Sequence, residues 1–249
     1  MNNKKPLNVL SIDFDFFQTA DADTMNFYYP DGIDLPPEIT TVTWSGHYYG
    51  ISGEHVRKVT CPESDVHTLY KLIQQNKQDV IACEAYCSHV HIYDMICEHY
   101  ATKRYDKINL INIDMHPDVS NENKHLDCGN WISHLKQVHP NTKLQWITRQ
   151  TMVDLLELNN MHLSLHTDFE ILKDFKPNLI FLCRSDTWFP PHLDMYFDEF
   201  LKQLQQLFPD CFYAESCIQT PRNFQIIQAQ IDQFEMFQKS HFKTGGKKL

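Results

Sequence analysis

The 249-residue sequence lacks several features that mark whole classes of protein. No apolar run approaches the ~18 residues of a membrane-spanning helix, and the N-terminal residues offer no hydrophobic signal segment. The eight cysteines include no C-x-x-C pair, and several lie in apolar runs, as buried free thiols do. The net charge of −10 argues against a nucleic-acid partner, which usually requires a basic stripe. We therefore expect a cytoplasmic protein with reduced cysteines that binds neither membranes nor nucleic acids.

Buried strands alternate with amphipathic helices along the chain. The pattern predicts strands at 7–12, 79–83, 107–113, 144–147, 178–183 and 211–214. It predicts helices at 65–76, 92–100, 130–138, 151–158, 192–208 and 221–238. This alternation is typical of right-handed βαβ units, so we expect an α/β fold with three α/β/α layers and a mostly parallel sheet. Because no repeat or low-complexity linker interrupts it, residues 1–249 are predicted to form one domain, with a flexible tail from about 241.

The segment from Tyr28 to Tyr49 is rich in aromatic residues, prolines and glycines. Such long, turn-rich segments are uncommon inside compact domains and often functional. We expect either a loop that forms a lid or groove wall, or an ordinary packed surface loop.

Three potential metal ligands follow the predicted strand at 107–113. Asp114, His116 and Asp118 are spaced two residues apart. Residues two apart in a strand point to the same face, so these side chains are predicted to converge at the strand's carboxyl end. Open α/β sheets usually bind their ligands at that edge.

A second acidic pair, Asp13 and Asp15, follows the first predicted strand in the same way. Four carboxylates near one site repel one another unless cations neutralise them, which indicates two divalent ions. An oxygen-rich set with histidines suits Mn²⁺, with Fe²⁺, Co²⁺ or Zn²⁺ as substitutes. The additional histidine ligand is either His89 or His91, both of which follow the predicted strand at 79–83.

These motifs resemble those of the arginases and other ureohydrolases. Residues 112–118 are similar to the Asp-Ala-His-x-Asp segment of that superfamily, and residues 11–15 to its Ser-x-Asp-x-Asp segment. Residues 88–89 resemble the end of its Gly-Gly-Asp-His segment, which favours His89 over His91. Residues 128–130, Cys-Gly-Asn, resemble its Ser-Gly-Asn.

The chain departs from the arginase pattern in three respects. The Asp-x-Asp strand comes first rather than late, the Gly-Gly pair is absent, and Ile132 stands where arginases carry a histidine, with His134 nearby. These departures, with Asp-Phe-Asp-Phe-Phe and Cys-Gly-Asn-Trp, resemble a divergent branch that includes peptide arginases. Enzymes of that branch convert arginine side chains in ribosomally made precursor peptides into ornithine and urea.

The resemblance implies two Mn²⁺ ions per chain, bridged by Asp13 and Asp114. It also implies which side chains complete each coordination sphere: His89 and Asp118 for one ion, His116 and Asp15 for the other. A hydroxide shared by the ions would attack the guanidinium carbon of an arginine in a peptide. Asp15 or a nearby histidine, for which His134 is our candidate, would carry the proton to the leaving amine.

A guanidinium group also requires a carboxylate partner. Glu215, after the last predicted strand, resembles the glutamate that arginases place there, and Asp186 and Glu84 are the alternatives. Asn130 of the Cys-Gly-Asn segment is a further substrate-binding candidate, and Arg184 is either a structural or a substrate anchor.

Three other functions stay open. One is hydrolysis of a small guanidino compound such as arginine, agmatine or a guanidino acid. Another is zinc-dependent deacetylation on a related fold, although the pair Asp13 and Asp15 argues against a single-zinc site. A third is a binding module without activity. The sequence leaves the oligomeric state open, including a homo-oligomer.

Overall fold

The computed structural model describes residues 5–21, 23–24, 34–50, 53–102, 105–120, 124–155 and 164–219, together with 222, 228–229, 232–233, 235–236 and 239. The predicted tail from about 241 lies outside these residues, as do most of the predicted helix at 221–238 and the first part of the aromatic segment.

Seven parallel strands form one sheet in the order β5-β4-β3-β1-β6-β2-β7. Their bounds are β1 Lys5–Asp13, β2 Ala82–Tyr86, β3 Tyr105–Ile113, β4 Thr142–Ile147, β5 Ser164–His166, β6 Leu179–Cys183 and β7 Phe212–Ala214. The α/β prediction is confirmed, and the sheet is entirely parallel among the described residues.

Helices surround this sheet, and each α-helix is numbered in chain order. They are α1 Pro37–Tyr49, α2 Gly53–Val56, α3 Glu63–Gln75, α4 His91–Ala101, α5 Trp131–Val138, α6 Gln150–Leu155, α7 Asp194–Leu207 and α8 Ser216–Gln219. Short 3₁₀ turns occur at Phe14–Phe17, Lys77–Asp79, Glu170–Leu172 and Pro191–Leu193. None of the described helices is long and apolar enough to cross a membrane.

Alternating side chains of the strands build a hydrophobic core on each face of the sheet. Leu10 and Ile12 of β1 belong to the core that includes apolar residues of α3 and α7. Leu7 and Val9 belong to the opposite core, which includes residues of α4 and α5. A strand buried on both faces reads as a continuous apolar run, which is why the central strands were predictable.

Two strand predictions differ from the structure. β2 begins at Ala82, three residues later than predicted, because its pairing with β6 starts at Leu179 and a 3₁₀ turn occupies Lys77–Asp79. The strand β5 was not predicted, because it has only three residues, none of them fully buried. A short edge strand of this kind carries little periodic hydrophobic signal.

The prediction of a turn-rich loop is wrong over Pro37–Tyr49, which forms α1. Proline is tolerated in the first helical turn, where its missing N–H costs no hydrogen bond. Trp44 and Tyr48, four residues apart, share one helical face and are both buried. The Trp44 Nε1–H donates to the carbonyl oxygen of Asp186 at 2.8 Å, so α1 packs beside the segment that follows β6.

The expectation of free thiols is wrong for two cysteines. Cys87, which follows β2, and Cys217 of α8 form a disulfide across a sequence separation of 130 residues. The other six cysteines are free.

Candidate metal centre

The adjacent strands β1 and β3 place two carboxylates side by side at the carboxyl edge of the sheet. Ile12 pairs with Ile113 in parallel register, so Asp13 and Asp114, the next residue of each chain segment, leave the sheet together. Both side chains are buried. The pairing of β1 with β3 therefore brings the two predicted motifs together.

His89 reaches this pair from the turn after β2. Its imidazole ring stacks over Phe181 of β6 with the centroids 5.8 Å apart, and this position carries the ring across the intervening strand. His91 does not join the cluster: it begins α4 and stacks on Tyr86 at 4.8 Å. Of the two histidines that the sequence left as alternatives, the structure brings His89 to the carboxylates.

Three carboxylates surround the Nδ1 atom of His89. This atom lies 3.2 Å from Asp13 Oδ2, 3.1 Å from Asp114 Oδ2 and 3.0 Å from Asp118 Oδ2. It is buried and forms no hydrogen bond with any described residue. The other ring nitrogen, Nε2, lies 2.6 Å from Ser11 Oγ. An Nε2–H that donates to Ser11 leaves the Nδ1 lone pair directed at the carboxylates, the tautomer that a metal-binding histidine requires.

A second group forms around His116. Its Nδ1 lies 3.1 Å from Asp15 Oδ2 and 3.6 Å from Asp114 Oδ1. Asp15 Oδ2 is also buried without a hydrogen-bond partner among the described residues. Asp114 thus presents Oδ2 to the His89 group and Oδ1 to the His116 group. A carboxylate shared in this way is suited to bridging two cations.

The carboxylates destabilise one another in the absence of cations. Burial, followed by the charges of Asp15 and Asp114, raises the pKa of Asp13 to about 7. Burial is also the main cause that raises the pKa of Asp15, and that of Asp118 well above its usual range. Burial alone would raise the pKa of Asp114 too, but hydrogen bonding to His116 and the charges of both histidines outweigh it and lower that pKa.

The two histidines show the complementary effect. Burial lowers the pKa of His89 and His116, but nearby carboxylates outweigh it and raise both pKa values well above the usual range. In the metal-free protein, protons on these histidines therefore neutralise part of the carboxylate charge, as bound cations would do. A buried set of four carboxylates and two imidazoles balances two divalent charges, and the groups Asp13–His89–Asp114 and Asp15–Asp114–His116 can each hold a metal ion.

Several polar side chains that sequence reasoning did not single out orient the cluster. Asn112 Nδ2 donates to Asp114 Oδ2 at 3.1 Å, and Trp131 Nε1 donates to Asp118 Oδ2 at 2.6 Å. Ser185 Oγ donates to Asp13 Oδ2 at 3.2 Å. Ser11 and Asn112 each precede an aspartate by two residues on one strand face, a signal that the period of two could have revealed.

Two residues at this site adopt left-handed backbone conformations. Asp118 has φ 49° and Ser185 has φ 57°, values that are uncommon for residues other than glycine. Both side chains contact the cluster, so the strain serves to aim an oxygen at it.

Asp34 is a further carboxylate beside the cluster. Ser88 Oγ donates to its Oδ2, and Asp34 interacts electrostatically with both Asp13 and His89. Burial is the main cause that raises the pKa of Asp34 to about 6. The hydrogen bond from Ser88 lowers this pKa, and the charge of Asp13 raises it. Asp34 belongs to neither group of ligands, and it keeps partial exposure. No sequence signal pointed to it, because it lies in an irregular segment 54 residues before Ser88.

The cluster approaches the surface at His116. The His116 side chain is 27% exposed, whereas those of Asp15 and His89 are at most 2% exposed. Trp188 lies against His116, with the ring centroids 6.0 Å apart. The cluster is therefore accessible on the His116 side, and Asp34 is a partly exposed residue on the His89 side.

The predicted substrate residue Asp186 is engaged elsewhere. Its carboxylate accepts hydrogen bonds from Arg184 Nε at 2.5 Å and Arg184 Nη2 at 2.9 Å, and both side chains are buried. Arg184 also donates to the carbonyl oxygens of Cys217 and Ile218. Arg184 is thus a structural anchor between β6 and α8, and Asp186 is its counterion.

Asn130 and Glu84 also have local partners. The Asn130 amide donates to the His125 carbonyl oxygen at 2.8 Å and accepts from the Asp127 N–H at 2.9 Å, so it shapes the turn before α5. Glu84 Oε2 accepts a hydrogen bond from the Tyr86 hydroxyl at 3.1 Å. Neither belongs to the groups that can hold a metal.

Two further predicted residues lie apart from the ligand groups. Glu215 follows β7, and its Oε2 accepts from the Cys87 N–H at 3.4 Å and lies 2.9 Å from Cys217 Sγ. His134 is half-buried on α5 and belongs to none of the groups that can hold a metal among the described residues. The structure therefore does not bring Glu215 or His134 into the cluster.

A cavity of about 610 Å³ lies at the same edge of the sheet, and none of the six ligand residues or Asp34 is among the residues that line it. Phe16 and Met115 form part of its wall, and each directly follows a predicted ligand, Asp15 or Asp114. The rest of the wall combines hydroxyl and amide side chains with charged and apolar ones: Gln18, Thr19, Thr68, Gln150, Thr151 and Thr167, then Asp65, Arg149, Asp168, Glu170 and Lys173, then Ala20, Leu72 and Phe169.

Comparisons with protein-family models, with curated proteins and with solved structures found no match for this chain.

Proposed function

We propose that this protein is a binuclear manganese hydrolase that converts arginine residues of a peptide into ornithine and urea. The observation that carries the proposal is the Asp114 carboxylate shared by two groups, one around His89 Nδ1 and the other around His116 Nδ1. Four carboxylates with two imidazole nitrogens form a predominantly hard ligand set, which suits Mn²⁺.

Each ion has a defined set of residues in this proposal. Asp13 and Asp114 would hold both ions, and Asp114 has one oxygen near each histidine. The remaining ligands are His89 and Asp118 for one ion, and His116 and Asp15 for the other. When bound, such an ion pair supplies a nucleophilic water whose pKa is lowered to near neutrality.

The reaction consumes one water and needs no other reactant. The water oxygen bonds to the guanidinium carbon, and the bond from that carbon to the side-chain nitrogen breaks. The two water protons end on the products, which are an ammonium side chain and neutral urea, so the single positive charge is conserved. We assign Asp15 to carry the proton to the leaving nitrogen, because its Oδ2 is buried beside His116 without a hydrogen bond.

Asp34 replaces Glu215 as the residue proposed to bind the substrate guanidinium. The four ligand carboxylates balance two divalent ions, which leaves Asp34 as an additional negative charge next to Asp13 and His89. A guanidinium forms its strongest hydrogen bonds with a carboxylate. Ser88 orients Asp34, and its partial exposure leaves it accessible to a cationic side chain.

The neighbouring cavity favours a peptide as the substrate. A volume of about 610 Å³ falls in the range of ligand sites and exceeds what a single guanidino group needs. Hydroxyl and amide groups, which both donate and accept, suit the N–H and carbonyl groups of a peptide main chain. Met115, which lines the cavity, donates its N–H to Asp15 Oδ1 at 3.4 Å, so the cavity wall adjoins a residue of the cluster.

The test combines metal analysis with mass spectrometry of a peptide product. Chelated protein, reloaded with Mn²⁺, is expected to contain two ions per chain and to remove the mass of cyanamide from each modified arginine. Asp114→Ala is expected to lose both the metal and the reaction. Unchanged metal content in Asp114→Ala would refute the binuclear centre. Turnover of free arginine or agmatine, without turnover of the peptide, would refute the peptide substrate.

A further inference from the structure

A third group of potential metal ligands lies at the outer side of the sheet, apart from the Asp/His cluster. It comprises Cys87 after β2, Glu215 after β7 and Cys217 of α8, whose ligand atoms all lie within 4.8 Å of one another. In this structure the two sulfur atoms form a disulfide. The proposed hydrolysis uses none of these three side chains.

We propose that Cys87, Glu215 and Cys217 form a redox-gated metal site, which binds Zn²⁺ when the cysteines are reduced and closes as a disulfide when they are oxidised. The ligand set differs in kind from that of the Asp/His cluster. Two thiolates are soft ligands, and thiolates with a carboxylate select Zn²⁺ over Mn²⁺. The proposal is therefore independent of the proposed function.

The surrounding backbone holds all three residues in place whether or not the sulfurs are bonded. The Glu215 N–H donates to the Ala85 carbonyl oxygen at 2.9 Å, which fixes the end of β7 against β2. The Cys87 carbonyl oxygen accepts from the Asp186 N–H, and the Cys217 carbonyl oxygen accepts from Arg184 Nη2. Reduction of the disulfide breaks none of these bonds, so the ligands remain together.

The spacing of the two cysteines accommodates both states. Their Cα atoms lie 6.5 Å apart, within the range that disulfides span. Zn–S bonds of about 2.3 Å in a tetrahedral site place two sulfurs roughly 3.8 Å apart, which rotation of the two side chains can supply. Glu215 Oε2 already lies 2.9 Å from Cys217 Sγ and provides the third ligand. Glu215 and Cys217 are partly exposed, so a water can complete the tetrahedron.

The switch between the two states balances with an external dithiol as reductant and an external disulfide as oxidant. A dithiol reductant transfers two electrons and two protons to the disulfide and is itself oxidised to a disulfide. Zn²⁺ then displaces the two thiol protons to solvent. Reoxidation by a disulfide-containing compound returns the electrons to that compound and expels the ion.

Cobalt provides the test, because thiolate ligation of Co²⁺ produces an intense near-ultraviolet charge-transfer band that carboxylate and imidazole ligands do not. Full-length protein is titrated with Co²⁺ after reduction by a dithiol, and separately in the oxidised form. We expect the band only in the reduced protein, with one ion per chain more than in the oxidised protein, and we expect Zn²⁺ to abolish it by displacement.

Two variants and one control locate the band. Cys217→Ser is expected to remove the band and the extra ion, and Glu215→Gln is expected to weaken Co²⁺ binding while it leaves a thiolate band. Cys211→Ser, which replaces a partly exposed free cysteine near β7, is the matched control and is expected to keep the full band. Circular dichroism establishes that each variant is folded.

The wild-type comparison can overturn the proposal without a variant: reduced protein that binds Co²⁺ without a thiolate band would refute the site. A band that Cys217→Ser leaves unchanged would refute it as well. Because the Asp/His cluster contributes no thiolate band, this result would leave the binuclear centre unaffected. Conversely, a normal band with no hydrolysis of any guanidino compound would refute the proposed function alone.

Discussion

Ser11→Ala is predicted to weaken one metal position and leave the other intact. Ser11 Oγ lies 2.6 Å from His89 Nε2, and this contact holds the imidazole ring with Nδ1 toward Asp13, Asp114 and Asp118. Removal of a group that orients a metal-bound histidine typically weakens binding about 10–100-fold, or roughly 1.4–2.7 kcal/mol. Among the described contacts, the Ser11 hydroxyl touches His89 and not His116. We therefore expect only the His89 position to lose affinity.

The assay is stepwise Mn²⁺ binding, measured by competition with a chromophoric chelator. Ser133→Ala is the matched control, because Ser133 Oγ donates one neutral hydrogen bond to the Val119 carbonyl oxygen at 2.9 Å. Each variant loses one hydrogen bond, worth about 1 kcal/mol of folding stability, but only Ser11→Ala alters a histidine of the cluster. Equal Mn²⁺ affinities in the two variants, or an equal loss at both metal positions, would refute the reasoning.

Three aspartates, Asp34, Asp186 and Asp13, give the remaining predictions. Asp34→Asn is expected to raise the KM for the guanidino substrate about tenfold or more by removing a charge-assisted hydrogen bond, with unchanged metal content; steady-state kinetics and metal analysis check this. Asp186→Asn leaves the buried Arg184 without its counterion and is expected to cost about 3–5 kcal/mol of unfolding free energy in urea titrations, whereas an exposed control, Asp154→Asn, is expected to change it little. Metal-free protein is expected to lose stability as the pH rises from the ordinary 3.8 of an aspartate through the raised pKa of Asp13 at about 7, because the folded state there binds more protons than the unfolded state. Urea titrations in a chelator across that range test this, and a rise in metal-free stability would contradict it.

The ligand-bearing strand ends were predictable because they depend on local periodicity. Asp13 and Asp114 each follow a continuous apolar run, and parallel strands bring their carboxyl ends to one edge. The choice between His89 and His91 was not settled by the residues alone, since it depends on where α4 begins. His91 starts that helix and stacks on Tyr86, which leaves His89 in the preceding turn to reach the carboxylates.

Strand order explains why Glu215 lies outside the Asp/His ligand groups. Glu215 follows a strand just as the aspartates do, but β6 and β2 separate β7 from β1 in the sheet. Local sequence carries no information on that order, so a carboxylate after an outer strand reads like one after a central strand. Asp34, in contrast, was not predicted but interacts with Asp13. It lies in an irregular segment that carries no periodic signal.

Asp186 and Ser185 show how one strand end can divide its roles. β6 lies next to β1, so the residues after Cys183 are close to Asp13. The left-handed conformation of Ser185 brings its hydroxyl to Asp13, while Asp186 pairs with Arg184. A sequence reading that weighs only charge would favour the aspartate, but the backbone decides which side chain is presented to the cluster.

The sheet edge thus separates two ligand chemistries by strand position. The central strands β1 and β3 supply the aspartates and His116 of the Asp/His cluster. The outer strands β2 and β7 lead into the cysteine pair and Glu215, and β2 also leads into His89. The two are linked through one short turn, because Cys87 precedes His89 by two residues. The Cys87 carbonyl oxygen accepts from the Asp186 N–H, so the anchor formed by Arg184 and Asp186 also holds the start of the turn that carries His89. A loss of that anchor should therefore disturb His89 and the cysteine pair together, whereas a change confined to His116 should disturb neither the turn nor the disulfide.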